Sequence, residues 1–334
     1  MLIDSHCHVL GIGAPPGVDR FMKEMFRSQF QASGKLPMGR DITDEEWKEL
    51  EYLWKPSTPE QLIALHPGFD RIVILGIAPQ DYTDYTPRGT IDLSGVTGIA
   101  GPPTIEKTND YIAAVVKKYR PTFIGFAAVN PRFRGVKAAV RELERAVNEL
   151  GLVGLKLYPC YDHYSPDDPE LAFPIFEKAE ELNIPVLVHQ AGATAVDARL
   201  KYSNPILLDE VGREFRRLRV IMAHVGSPWM DECILLLMKH PNFYADISHF
   251  PVPLTQEELL RFLLKCKSWG VPLSKLFWAS DYPSSELPLE LLHRLQSVND
   301  EARRLGLATI PDKEVDTIQG ENFARMMNMP QIVG

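Results

Sequence analysis

Five residues of this chain have types and spacings that suit metal binding and proton transfer: His6, His8, His189, His224 and Asp281. Each closes a short apolar run that reads as a β-strand. Alternate side chains of a strand point to opposite faces, so His6 and His8, two residues apart, can reach one ion together. Three neutral imidazoles and one carboxylate form a suitable set for a divalent transition metal, which gives His6, His8, His189 and Asp281 as the expected ligands. A lone His-x-His occurs by chance, and a single strand-end histidine is usually a hydrogen-bonded core residue. Five such residues at the ends of four strands are hard to explain as packing.

The same alternation orients their neighbours. In the fourth run, Val153, Leu155 and Leu157 share an apolar face, which sends Lys156 and Tyr158 to the other side. Parity likewise groups Asp4 with His6 and His8, Leu187 with His189, Met222 with His224, and Phe277 and Ala279 with Asp281. Cys7 falls on the opposite face from both flanking histidines and reads as packing. Asp246 shares parity with Tyr244 and Ser248 and is a candidate to support the ligands from behind. His249 reads as a loop histidine.

Positioning such residues takes a regular frame. Eight apolar runs, rich in Val, Ile, Leu and Phe, cover residues 2–6, 71–76, 123–129, 153–158, 185–189, 219–224, 242–247 and 276–281. This composition suits parallel strands covered by helices. Amphipathic helices are predicted at 136–150, 169–182, 205–216, 228–239, 255–269 and 288–305. Val136, Ala139, Val140, Leu143, Ala146, Val147 and Leu150 form the clearest stripe. Strand and helix in alternation mean βαβ units, and eight strands predict closure into a (β/α)8 TIM barrel. A doubly wound open sheet is the alternative. Polar residues at the carboxyl ends of the strands then sit where barrel active sites are built.

Two segments break the rhythm. Residues 9–70 read as a long insertion after the first strand, a cap carrying Arg20, Arg27, Arg40, Trp47 and Trp54. A second, glycine-rich segment spans 79–103. One domain over 1–334 accommodates both. Lid and subunit contact are the two readings of the first, and a homodimer is one arrangement open to the chain.

Composition excludes other classes. Of 334 residues, 45% are hydrophobic and 24% charged, as in a chain with a full core. The net charge of -8 and the lack of basic runs argue against nucleic acid or an anionic membrane surface as partner. Nothing approaches the roughly 18 apolar residues of a membrane span, and no signal peptide is evident. Four scattered cysteines without CxxC spacing suit a reducing cytoplasm.

The opening IDSHCH, the strand ends VLVHQAG and IMAHVG, and WASDYP near the carboxyl end resemble the amidohydrolase superfamily. With GLKLYP, SPDDP and GENFARMM, the chain looks most like its amidohydrolase-related branch, which includes aminocarboxymuconate-semialdehyde decarboxylase. The resemblance spans nearly the whole chain except the 9–70 insertion. It implies the barrel fold, His6, His8, His189 and Asp281 as ligands, and His224 as a catalytic or additional metal-contacting residue. It also implies one metal where many superfamily members bridge two with a carboxylated lysine. Lys156 is therefore read as a substrate-anion contact, with Tyr158 beside it.

These parts predict an enzyme that acts on a small, anionic organic molecule with one divalent metal, zinc first and manganese next. Zinc lowers the pKa of a bound water to about 7, and His224 can shuttle protons. Hydrolysis of a carbonyl-type bond, with Asp281 able to accept a proton, is ranked slightly above non-oxidative decarboxylation. A metal-free lactonase and a catalytically silent, ligand-binding barrel are further alternatives, and the full ligand set weighs against the last.

Overall fold

The computed structural model describes residues 1–9, 58–77, 105–132, 135–193, 198–248, 254–284 and 286–330, with positions 31, 34, 43 and 45. Most of the 9–70 insertion, with its arginines and tryptophans, lies outside the described residues, as do the 79–103 segment and His249.

All eight expected strands form, the first shifted by one residue and the others somewhat shorter at their ends. They are β1 (Ile3–Cys7), β2 (Arg71–Leu75), β3 (Phe123–Ala128), β4 (Gly154–Leu157), β5 (Val186–Val188), β6 (Val220–Met222), β7 (Phe243–Asp246) and β8 (Leu276–Phe277). They lie in chain order in one sheet, each parallel to the next. The last strand rejoins the first. Ser5 N donates to Trp278 O (3.4 Å), Asp281 N to His6 O (2.8 Å) and His8 N to Tyr282 O (2.9 Å). The sheet is a TIM barrel.

Helices cover the outside: α1 (Pro59–Leu65), α2 (Ile105–Lys118), α3 (Val136–Asn148), α4 (Pro159–Asp162), α5 (Phe173–Glu181), α6 (Leu208–Glu214), α7 (Met230–Lys239), α8 (Gln256–Ser268), α9 (Pro288–Gln296), α10 (Val298–Leu305), α11 (Asp312–Ile318) and α12 (Glu321–Met326). Residues 288–305 form two helices where one was expected. At the break Ser297 leaves the helical path (φ −94°, ψ 12°), and Gln256 Nε2 donates to its carbonyl (2.9 Å) and hydroxyl (2.7 Å). Five of these helices lie where none was expected: α1, α2, α4, α11 and α12. The α1 helix, opened by a Thr58–Gln61 capping box, belongs to the last part of the 9–70 stretch and buries Leu62 against the barrel. In α2, Ile112 and Val115 are buried. None of the described helices is long and apolar enough to cross a membrane.

Apolar burial occurs in two layers, at about 1.5–3 kcal/mol per large side chain. The outer layer, between strands and helices, holds Leu155, Leu157, Val186, Val188, Met222 and most helix side chains. The inner layer fills the barrel with Ile3, Val73, Leu75, Phe126, Leu187, Ile221 and Phe277, and Phe323 and Met326 of α12 join it. Phe323 meets Phe277 edge to face, with ring centroids 5.5 Å apart. A side chain at Gly154 would strike the Phe126 ring at 2.5 Å, so glycine is what lets that ring lie across the barrel. This packing closes the end opposite the histidines.

Candidate metal centre

His6 and His8 leave the end of β1 toward the barrel mouth. His6 Nε2 and His8 Nε2 each lie 3.2 Å from Asp281 Oδ1. Ligand atoms of the three residues fall within 4.8 Å of one another, and all three are buried. Asp281 reaches this point through a left-handed backbone (φ 56°), an uncommon state for a residue with a side chain. Such local strain persists where surrounding contacts enforce it. Here the Asp281 N–H is held by His6 O.

His189 ends β5 and His224 follows β6. Their Nδ1 and Nε2 atoms are 3.3 Å apart, and the His224 ring centre lies 5.0 Å from that of His6. His189 thus adjoins the compact His6–His8–Asp281 group through His224. Behind them stands Asp246, at the end of β7. Its Oδ2 is 3.0 Å from His6 Nδ1, and its Oδ1 accepts the His224 N–H at 2.9 Å. Ser248 Oγ bonds the same Oδ1 and lies 2.7 Å from His224 Nδ1.

Lys156 and Tyr158 point inward, as strand parity predicts. Lys156, 1% exposed, has Nζ 3.5 Å from His6 Nε2 and 4.8 Å from the centre of the Tyr158 ring. The His189 ring stacks at 5.9 Å on Tyr158 and meets Tyr161 at 5.3 Å. Burial, opposed by Asp246 and Asp281, brings the Lys156 ammonium down to about 8. Burial, reinforced by Lys156, holds His6 and His189 well below the usual imidazole range. The same cause lowers His224, with His189 and His6 adding to it. Asp281 is pushed up by burial against the pull of His8. Imidazoles kept neutral beside a carboxylate are the donor chemistry a divalent transition metal requires. The residues fit the ion.

Two parity assignments are corrected. Asp4 does not share the face of His6 and His8, because the β1–β2 register shifts between Asp4 and Cys7 and turns Asp4 outward. There Asp4 Oδ2 meets His66 Nε2 at 2.9 Å, while Cys7 Sγ lies 3.8 Å from the same nitrogen. Cys7 packs outward as expected. Met222 and His224 also face opposite ways. Met222 packs outside, and the left-handed backbone of His224 (φ 56°) and Val225 (φ 45°) swings the imidazole in.

Sequence reasoning missed Ser248, Tyr161 and His66. Ser248 was within reach, since its parity with Asp246 was legible. Tyr161 sits on the short α4 turn and His66 at the end of α1, where no strand alternation applies.

Comparison with known proteins agrees with this frame. The chain is 26% identical over 244 residues to a 2-keto-4-carboxy-3-hexenedioate hydratase from Sphingobium sp., covering 68% of this chain and 66% of that one. It is 34% identical over 204 residues to a 2-amino-3-carboxymuconate-6-semialdehyde decarboxylase from Dictyostelium discoideum, covering 52% and 55%. The chain therefore spans about half to just under two thirds of the curated relatives it matches. A solved 5-carboxyvanillate decarboxylase from Novosphingobium aromaticivorans, with bound manganese, shares the fold at a TM-score of 0.59 and 14% identity, covering 98% of this chain and 97% of that one. The amidohydrolase family model matches residues 3–327, and with the barrel and its histidines in place the chain belongs to the amidohydrolase family.

Proposed function

We propose that this chain is a metal-dependent decarboxylase of a small, planar, unsaturated or aromatic carboxylic acid. The observation that carries the reading is Lys156, a cation buried beside His6 and over the Tyr158 ring. A buried ammonium needs an anionic partner, and a substrate carboxylate or phenolate supplies one. The rings of Tyr158, Tyr161 and His189 offer flat faces to a conjugated acid. Hydrolysis ranked first on sequence alone. The decarboxylases among the relatives and solved neighbours move decarboxylation ahead of it.

His6, His8, His189 and Asp281 would hold the ion, zinc or manganese, since imidazole and carboxylate sets accept either. When bound, it supplies a Lewis acid that anchors substrate oxygens and offsets their charge. Lys156 orients the acid. Burial of the surrounding side chains excludes water, which strengthens each electrostatic contact. The bond from carbon to carboxylate breaks, the carbon keeps the electron pair and takes one proton, and carbon dioxide leaves. His224 accepts a proton at Nε2 from the substrate's own acidic group or from water, then returns it to that carbon. The 9–70 segment starts beside His8 at the mouth and returns to the opposite end of the barrel, where Asp70 Oδ2 accepts the Leu2 N–H at 2.8 Å; its start beside the histidines supports a role in bordering the mouth.

The hydratase match, the broader of the two in coverage, favours water addition as a second reading. One assay separates them. Protein loaded with zinc or manganese is given 5-carboxyvanillate, 2-amino-3-carboxymuconate-6-semialdehyde, 2-keto-4-carboxy-3-hexenedioate and a lactone. Carbon dioxide release from one of the first two is the expected result. Hydration or ring opening without carbon dioxide would overturn the decarboxylase reading.

A further inference from the structure

Hydrogen bonds from Asp246 and Ser248 reach His6 and His224, a further one joins His224 to His189, and elimination assigns a donor to each. Asp246 Oδ1 receives the backbone N–H of His224 (2.9 Å) and of Ser248 (3.1 Å), and amide nitrogens only donate. Ser248 Oγ also meets Oδ1, where a hydroxyl beside a carboxylate commits its single proton. Toward His224 Nδ1, 2.7 Å away, that oxygen can then only accept. The His224 proton therefore sits on Nδ1, and its Nε2 carries the lone pair. His189 Nδ1, 3.3 Å from that lone pair, must be the donor, which leaves the His189 lone pair on its own Nε2. On the other side of the carboxylate, Oδ2 takes the Nδ1 proton of His6 at 3.0 Å.

We infer that Asp246 and Ser248 are positioning residues that fix His6, His189 and His224 as a matched set, each with its proton on Nδ1 and its lone pair on Nε2. One buried carboxylate thereby prepares two metal donors and one proton carrier. The bond an imidazole makes through one nitrogen decides what the other can do. For His6 and His189 this is the form a metal requires. For His224 it is the form able to take up a proton. The effect on turnover rests on the reading of His224 under the proposed function, while the arrangement of protons does not.

The test uses full-length protein with nitrogen-15 histidine, metal-free and zinc-loaded, and long-range nitrogen–proton correlation to read each ring. His6, His189 and His224 are expected with protonated Nδ1 in the metal-free protein, and His6 and His189 with Nε2 as the metal-shifted nitrogen after loading. Ser248→Ala should move His224 toward protonated Nε2 and lower kcat by about 10- to 100-fold, with KM and zinc stoichiometry unchanged and Ser248→Thr restoring both signals. A protonated Nε2 on His224 in the wild-type protein would overturn the inference. So would a His224 spectrum unaltered by Ser248→Ala. A shifted ring with unchanged kcat would overturn the catalytic reading of His224 and leave the arrangement of protons standing.

Discussion

Two buried clusters of metal-capable residues flank β1, one on each side of the barrel wall. Inside are His6, His224 and Asp246; outside are Asp4, Cys7 and His66; in both, ligand-type atoms lie within 4.8 Å of one another. The difference is in what each ring faces. His66 Nδ1 lies 2.6 Å from Leu62 O, which only accepts, and its Nε2 lies 2.9 Å from Asp4 Oδ2. Both of its nitrogens are engaged. The Cys7 thiol is pushed well up by burial, with Asp4 adding to it, and so is a poor metal donor. Asp4 spends its other oxygen on the backbone N–H of His6 (3.1 Å) and of Ser280 (3.0 Å). The outer cluster is a joint that fastens α1 to β1 and holds two ligand-bearing backbones in register. In the inner cluster Asp246 and Ser248 hold Nδ1 of His6 and His224, while each Nε2 faces other side chains of the site: Asp281 for His6 and His189 for His224. Metal-capable composition therefore separates the two poorly, and the partner of the second ring nitrogen separates them well, a backbone carbonyl outside and other site side chains inside.

Substitutions can break this contrast. His224→Ala should lower kcat by about 10² to 10⁴ with metal content retained, since it removes an acid–base group outside the four-ligand set. Equal loss of metal and turnover would make His224 a main ligand. Lys156→Met should raise KM for the anionic substrate by roughly 10- to 100-fold, the worth of a hydrogen bond to a charged group. A KM within twofold of wild type would remove Lys156 from substrate binding. For Asp246→Asn, metal affinity measured by competition with a chelator should fall by about 10- to 100-fold. His66→Ala acts on the outer cluster and should leave that affinity alone. It takes a partner from buried Asp4, so unfolding in urea should report a loss of about 1–3 kcal/mol. If His66→Ala sheds metal as readily as Asp246→Asn, the two clusters are one functional unit and the contrast fails.

Sequence pattern reached the site where backbone is regular and failed where it is not. Lys156 and Tyr158 were placed correctly because β4 alternates cleanly between Leu155 and Leu157 outside and the polar pair inside. The parity rule broke at Asp4, where the β1 register shifts, and at Met222, where left-handed residues follow β6. No alternation predicts a valine at φ 45°, a costly state that only surrounding structure can hold. His66 was silent because its role depends on α1 docking against β1. The α2 helix was overlooked beside the glycine-rich 79–103 stretch, although Tyr111, Ile112, Val115 and Val116 carry helical spacing. Which strand-end residues converge at the mouth was legible from residue type, whereas the order of hydrogen bonds behind them was not.

The junction of β1 with β8 also sets when this protein can acquire its metal. Asp4 and Ser280 are 276 residues apart, and the same seam brings His6 and His8 to Asp281. At about 5–20 residues per second, a ribosome takes tens of seconds to make the chain between them. During that time the first two histidines are already exposed while their carboxylate partner has not been synthesised. Stable loading of the proposed four-ligand centre thus belongs after translation of the eighth strand, and an amino-terminal fragment ending before residue 276 should bind zinc no better than an isolated His-x-His peptide.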